Sequence, residues 1–300
     1  MTTQIFQNPD QSLLCSDQDL AHEKMLLSFH VDSQVALVKK QIDFVMSQGP
    51  GFLDGRQTNY ESLFESADKQ ARIELLMNQD AQALRRWMYL SVRLFEIGTE
   101  AELGGLHNLD FSRDRINLSQ PLFNLILCDH KGIQRRCTAV TERIADARAT
   151  PFDWIGINWH MTYNTLLMLE GRRFELLESR ALHFLDNLPV GAKRYKPDYE
   201  FMLGLARADT KLMRQSLSTF LKPRKAKAAA KDTVYEYNFV LQPQLLCYLK
   251  LASRLGFNLE IETDMAPTVL SHYQPLEPAD YLQIETDTIA KHLKNQARLS

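Results

Sequence analysis

Residues 196–224 of this chain are KPDYEFMLGLARADTKLMRQSLSTFLKPR, and residues 239–270 are FVLQPQLLCYLKLASRLGFNLEIETDMAPTVL. Pro197 and Asp209 are residues that favour the first positions of helices, and Gly256 favours the position just after a helix end. Between these signals the apolar residues recur at helical spacing, as at Leu245, Leu246, Leu249 and Ala252. The two stretches therefore predict helices that pack on one another, with a basic spacer between them.

The same signals continue toward the N-terminus. Helical spacing predicts further helices over residues 19–46, 58–77, 81–103, 133–147, 159–169 and 174–188. Residues 121–128 fit either a helix or a buried strand, and residues 258–263 are the best strand candidate. Because alternating patterns are otherwise nearly absent, we predict an all-α fold. Successive antiparallel helical hairpins would form a bundle or a short α-solenoid, although no fixed sequence period marks a repeat family.

The length of 300 residues is enough to bury a substantial core without a metal or a disulfide. We expect residues 1–18 to be a loose leader and residues 19–300 to form a single all-α domain. The turn-rich stretch 106–120 and the Thr150-Pro151 step, near residue 150, are the two candidate sub-boundaries, because the residue before a proline avoids the helical region.

The composition and the N-terminal sequence indicate the cellular compartment. Four widely separated cysteines without a CxxC pair predict reduced thiols in a cytosolic protein. The N-terminus has no basic region followed by an apolar run, so no signal peptide is expected. No stretch approaches the ~20 apolar residues that span a bilayer. We therefore expect a cytoplasmic protein that does not bind membranes.

Patterns for catalysis are missing from the sequence. There is no HExxH, no His-Cys cluster with zinc spacing, no GxSxG and no glycine-rich phosphate loop. Cys128-Asp129-His130 is the nearest approach to a metal site, but adjacent residues on a helix point in different directions. We expect no catalytic residues, no cofactor and no metal, hence a protein that is not an enzyme.

Charge is spread unevenly along the chain, although the formal net charge is only −2. Residues 1–100 carry 14 acidic against 9 basic side chains, and residues 201–300 carry 10 against 13. The net charge is too small to indicate nucleic-acid binding by the whole chain. The basic run at residues 222–231 is expected to be a solvated, mobile loop between helices.

An acidic group lies near the end of the helix predicted over residues 81–103. Two interpretations stay open for it: a solvated acidic face, or a patch that contacts a basic partner protein. The second interpretation makes five residues candidate contacts: Glu96, Glu100, Glu102, Asp110 and Asp114.

The helices of the last third also carry a resemblance. Three groups of positions carry it: Asp209, Leu217 and Phe220-Leu221; the pattern P-x-L-L-x-x-x-x-x-A-x-x-x-G from Pro243 to Gly256; and Pro267-x-x-Leu270. Together they resemble the C-terminal part of the bacterial immunity protein 49 family. The resemblance extends over residues 80–272 and rests mostly on helix-packing positions. A related alternative is another all-α immunity family, the one paired with PoNe-type DNase toxins.

The resemblance implies a cytosolic antidote that binds the toxin domain of a polymorphic or type VI secretion system and blocks its active site. It brings no catalytic residues. If the toxin is a nuclease, its basic cleft would attract an acidic patch on the inhibitor. Two rivals remain: a helical-repeat adaptor or regulator that binds a protein or peptide, and a helical enzyme with an unrecognised site.

Overall fold

A computed structural model describes residues 4–28, 40, 57–103, 118–139, 154–188, 190–231, 233–234 and 236–281. Within its helices, the side chains of residues 57–63, 97–103 and 154–159 are not described. The helices are α1 Asp17–Ser28, α2 Gln57–Ile73, α3 Ala81–Leu103, α4 Gln120–Leu127, α5 Lys131–Ala139, α6 Trp154–Glu170, α7 Phe174–Asp186, α8 Lys196–Ala206, α9 Thr210–Leu217, α10 Pro223–Ala230, α11 Pro243–Arg254 and α12 Thr268–Ser271.

The predicted all-α class is confirmed. A π-helical turn, Glu74–Asn78, extends α2, and two short 3₁₀ helices follow at Val190–Tyr195 and Pro278–Asp280. Over the described ranges no strand forms, and the only β-type pairing is an isolated bridge between Leu118 and Thr233. Residues 258–263, the strand candidate, have no regular structure.

Neighbouring helices pack as hairpins. α2 packs along α3, α7 along α8, and α8 along α9. The links between these helices are short, as in helical hairpins. α11 then packs against α4, more than a hundred residues earlier, and closes one continuous hydrophobic core.

Several helix ends confirm the signals of the sequence. α3 has the predicted bounds, and Asp209 caps α9 by accepting a hydrogen bond from the Leu212 amide at 2.9 Å. After α11, Gly256 adopts a positive φ of 88°. The Phe257 amide donates to the Ala252 carbonyl at 2.9 Å, which is the hydrogen bond of a Schellman motif.

Other expectations need correction. The basic run 222–231 is not a loop, because Pro223 begins α10 instead of only ending the preceding helix, and Ala226 and Ala230 bury one face of it. A proline suits the first turn of a helix, where its missing N–H has no partner to lose. Residues 121–128 form a helix rather than a strand. Of the helix predicted over 19–46, α1 is described as far as Ser28, and most of the remainder lies outside the described residues.

The segment expected to be a loose leader is partly packed. Residues 4–16 contain no helix, and α1 begins at Asp17. Ile5 and Phe6 are nevertheless buried in the core, and the Ser12 hydroxyl donates to the Phe239 carbonyl at 2.9 Å. Leu14 also forms a small buried cluster with Ala226 and Met265 of the last third.

A buried ionic cluster connects distant parts of the chain. The Lys250 ammonium of α11 donates to the Asp129 carboxylate at 2.6 Å and to the His272 carbonyl at 2.7 Å. Arg85 Nε of α3 lies 3.3 Å from the same carboxylate oxygen, and the Gln274 amide donates to it at 3.2 Å. Burial lowers the pKa of Lys250 to about 8, although Asp129 acts in the opposite direction.

A second buried polar cluster surrounds His160 of α6. Its Nδ1 lies 2.6 Å from the hydroxyl oxygen of Tyr199, and the two rings stack at 5.5 Å between centroids. Asn164 lies between His160 and Arg180, and its carbonyl oxygen accepts from Arg180 Nε at 2.6 Å. Burial, assisted by the positive charge of Arg180, lowers the pKa of His160 to about 3.

Replacing Lys250 with Met should lower the free energy of unfolding by about 3 kcal/mol, because it leaves a buried carboxylate with Arg85 as its only cation. The double variant Asp129→Asn/Lys250→Met should recover part of this loss. Arg214→Met, which removes an exposed pair with Glu260, should cost less than ~1 kcal/mol. Urea unfolding at pH 7 measures all three, and equal losses for Lys250→Met and Arg214→Met would contradict the prediction.

The lowered pKa of His160 predicts a pH-dependent stability. The unfolded chain binds a proton at this residue below about pH 6.5 and the folded chain does not, so stability is complete above that pH and is lost as the pH falls toward 3. The contribution of His160 should fall by about 2 kcal/mol between pH 7 and pH 5. Urea unfolding across that range should show a flatter profile for His160→Gln, whereas the exposed control His22→Gln should keep the wild-type slope.

Candidate functional site

Glu96 is the one predicted contact residue whose side chain the structure describes. It lies on α3 with only 1% of its surface exposed. Its carboxylate accepts from Arg93 at 2.6 Å and from Arg136 of α5 at 2.7 Å. The carboxylate thus joins α3 to α5, and its charge is matched by arginines of the same chain.

The other four predicted contacts are only partly placed. Glu100 and Glu102 lie on the last turns of α3, beyond Glu96, but their side chains are not described. Asp110 and Asp114 lie outside the described residues. The grouping of the five acidic residues and their contact with a partner therefore stay predictions.

On α5, another row of side chains faces away from Glu96. Lys131, Arg135 and Thr138 are spaced by four and three residues, which places them on one face of the helix. Lys131 and Arg135 are exposed. Two cations four residues apart repel each other by a few tenths of a kcal/mol, so this face would gain from an anionic neighbour.

This face of α5 forms one wall of an open cleft of about 420 Å³. The end of α6 and the residue that follows its turn supply Leu169, Glu170 and Arg172, and the end of α11 supplies Arg254. We call this feature the basic cleft, since its lining contains four cationic side chains and one carboxylate: Lys131, Arg135, Arg172, Arg254 and Glu170.

Two of the cations in the basic cleft are held in place by their neighbours. Arg172 donates to Glu170 at 2.9 Å, and Glu170 also accepts from Arg173 at 2.8 Å. Arg254 donates to the Gln134 side-chain oxygen, and its guanidinium lies 5.2 Å from the ring centroid of Tyr273. The carboxylate of Glu170 is consequently neutralised inside the cleft.

The ionic cluster positions the start of α5. Asp129, which precedes the helix, has a positive φ of 56°, and its carboxylate holds Lys250. His130 then accepts a hydrogen bond from the Ile133 amide through Nδ1 at 3.1 Å. Its ring lies 4.5 Å from the rings of both Tyr89 and Tyr281, and burial lowers its pKa. Lys131, the next residue, is thereby directed to the cleft.

Reactive chemistry has little support in this region. Burial raises the pKa of the Cys128 and Cys137 thiols, which keeps them protonated. Within the described ranges, no three His, Cys, Asp or Glu side chains come together as they would around a metal ion. The arrangement presents fixed positive charges, which suit recognition of an anionic surface.

The basic cleft was not predicted from the sequence. The spacing of Lys131 and Arg135 on a predicted helix could have indicated two cations on one face. Arg172 and Arg254 join them only through the packing of α5 and α6 and the anchoring of α11, which no local pattern in the sequence reports.

None of the described helices is both long enough and apolar enough to cross a membrane. A family model described as Immunity protein 49 matches residues 79–270, which is well over half of the chain. The match begins just before α3 and ends within α12, and it contains the charged side chains of the ionic cluster and the lining of the basic cleft. No curated protein and no solved structure matches the chain.

Proposed function

The chain belongs to the immunity protein 49 family, which indicates a role in toxin immunity, and we propose that it binds a cognate bacterial toxin and occludes the toxin's active site. The family match over residues 79–270 is the observation that carries this proposal. The antidote acts in the cytoplasm, without catalysis, against a toxin of a polymorphic or type VI secretion system.

The structure supports binding more than chemistry. Buried charged and polar side chains pair with one another, as Lys250 does with Asp129 and His160 with Tyr199. The helices form one continuous core, so the outer surface is held by a rigid scaffold. Rigid surfaces lose little conformational entropy on binding, which favours the tight association that an antidote needs.

We further propose that the end of α3 contacts the toxin. The toxin would be a nuclease whose active site is positively charged. Glu100 and Glu102, with Asp110 and Asp114, supply the contact charges. Glu96 belongs to the same acidic group but acts through Arg93 and Arg136, because both oxygens of its carboxylate accept from these arginines. Acidic residues that face a positively charged active site on the partner increase the rate of association.

Co-expression with the toxin encoded in the adjacent gene tests the proposed function. Cells that carry the toxin alone should die, and cells that also carry this chain should grow. A catalytically inactive toxin variant should co-purify with the chain as a stable complex. Death of the co-expressing cells, with both proteins present in soluble form, would contradict the proposal.

Charge reversal at the end of α3 tests the acidic contact. Glu100→Lys/Glu102→Lys should weaken toxin binding several-fold, mainly by slowing association, because it replaces two attractive charges with repulsive ones. Glu175→Lys/Glu262→Lys is a matched control, since it makes the same charge change at two exposed positions outside the acidic group. Surface plasmon resonance measures both variants, and equal association rates would dismiss this contact.

A further inference from the structure

We propose that the basic cleft between α5, α6 and α11 receives an acidic segment of the cognate toxin. This inference rests on the proposed function and adds a second contact of opposite charge to the acidic end of α3. The segment would be a loop or chain terminus that carries aspartate or glutamate side chains.

The charges of the cleft are the first support. Lys131 and Arg135 are exposed, and neither forms an ion pair with any part of the chain that the structure describes. The one carboxylate in the lining, Glu170, is already bound to Arg172 and Arg173. Carboxylates from a partner would therefore meet positive charge that the described part of the chain leaves uncompensated, and hydrogen bonds between ionised groups are the stronger kind.

The rigidity of the cleft is the second support. Arg254 is held between Gln134 and the Tyr273 ring, and the Tyr273 amide donates to Ser253 at 3.0 Å. The Lys131 ammonium lies 6.0 Å from the centroid of that same ring. A cation fixed by its neighbours, as Arg254 is, loses little freedom when a partner binds, so more of its electrostatic attraction appears as affinity.

The shape of the cleft favours a protruding segment. A volume of about 420 Å³ is within the range of pockets that enclose a ligand, whereas a flat partner surface would leave most of it empty. Leu169 and Gly132 line the cleft together with its four cations. A short acidic segment can fill this space and present its carboxylates to these cations.

Nucleic acid fits the cleft less well than a protein. Strands bind along extended basic grooves with exposed aromatic rings for stacking, and the lining of this cleft contains no aromatic residue.

The test is the double variant Lys131→Glu/Arg135→Glu, measured against the purified, catalytically inactive toxin domain from the adjacent gene. We expect its dissociation constant to rise at least tenfold and the neutral variant Lys131→Gln/Arg135→Gln to lie between it and the wild type. Arg224→Glu/Lys225→Glu on α10 is the matched control, because it reverses the same two residue types at exposed positions. The control should bind within twofold of the wild type.

The outcomes separate this inference from the proposed function. If Lys131→Glu/Arg135→Glu and Lys131→Gln/Arg135→Gln both bind the toxin like the wild type, the basic cleft is not a contact and the proposed function stands. If the wild type itself does not bind the toxin domain, the proposed function fails and this inference with it. Thermal melting must show the same unfolding temperature for the Lys131/Arg135 variants as for the wild type, and loss of binding with an intact fold supports the proposal.

Two further measurements make the test specific. Reversing single acidic residues of the toxin to lysine should restore binding to Lys131→Glu/Arg135→Glu for the residue that enters the cleft. Fluorescence anisotropy with single-stranded and duplex DNA should show no binding by the wild-type chain. Tight DNA binding that the same double variant abolishes would overturn the proposal in favour of nucleic-acid recognition.

Discussion

The buried carboxylate of Asp129 is the point on which the arrangement of the distant helices depends. It holds Lys250 of α11 and lies near Arg85 of α3, and the backbone after α12 closes over it. Removing such charges from water costs several kcal/mol, which only good geometry repays. A packing in which α11 or α3 shifts would leave a buried charge alone, so this cluster selects one arrangement of helices among the many that the apolar residues allow.

The same constraint shapes the outer surface. Asp129 immediately precedes α5, and Lys250 lies one turn before Arg254 on α11. The ion pair between Asp129 and Lys250 therefore fixes the start of α5 and the end of α11, which form two of the walls of the basic cleft. The Glu96–Arg136 pair then ties the other side of α5 to α3. The buried ion pairs thus determine where the charged side chains of the cleft lie on the surface.

Local signals were sufficient to predict most of the helices, because caps and periodicity act over one or two turns. Ala81–Leu103, the Asp209 cap and the Gly256 ending are examples. Pro223 shows the limit of such signals, since a proline is compatible with the end of one helix and with the first turn of the next. The pairing of Asp129 with Lys250, 121 residues apart, could not be predicted, because no short-range pattern reports which buried charges will meet. The cleft depends on that pairing and was missed for the same reason.

The two proposed contacts lie on either side of one short helix. The acidic end of α3 and the basic cleft are separated by α5, whose Arg136 faces Glu96 while Lys131 and Arg135 face the cleft. A toxin that engages both must present a positive and a negative surface at matching positions. A partner with only one of these two surfaces would be attracted at one contact only. At the other contact it would leave charges unpaired or place like charges together, and such like-charge contacts cost several kcal/mol. Binding specificity would then follow from the order of charges across α5, while the buried helix-packing residues would supply the scaffold.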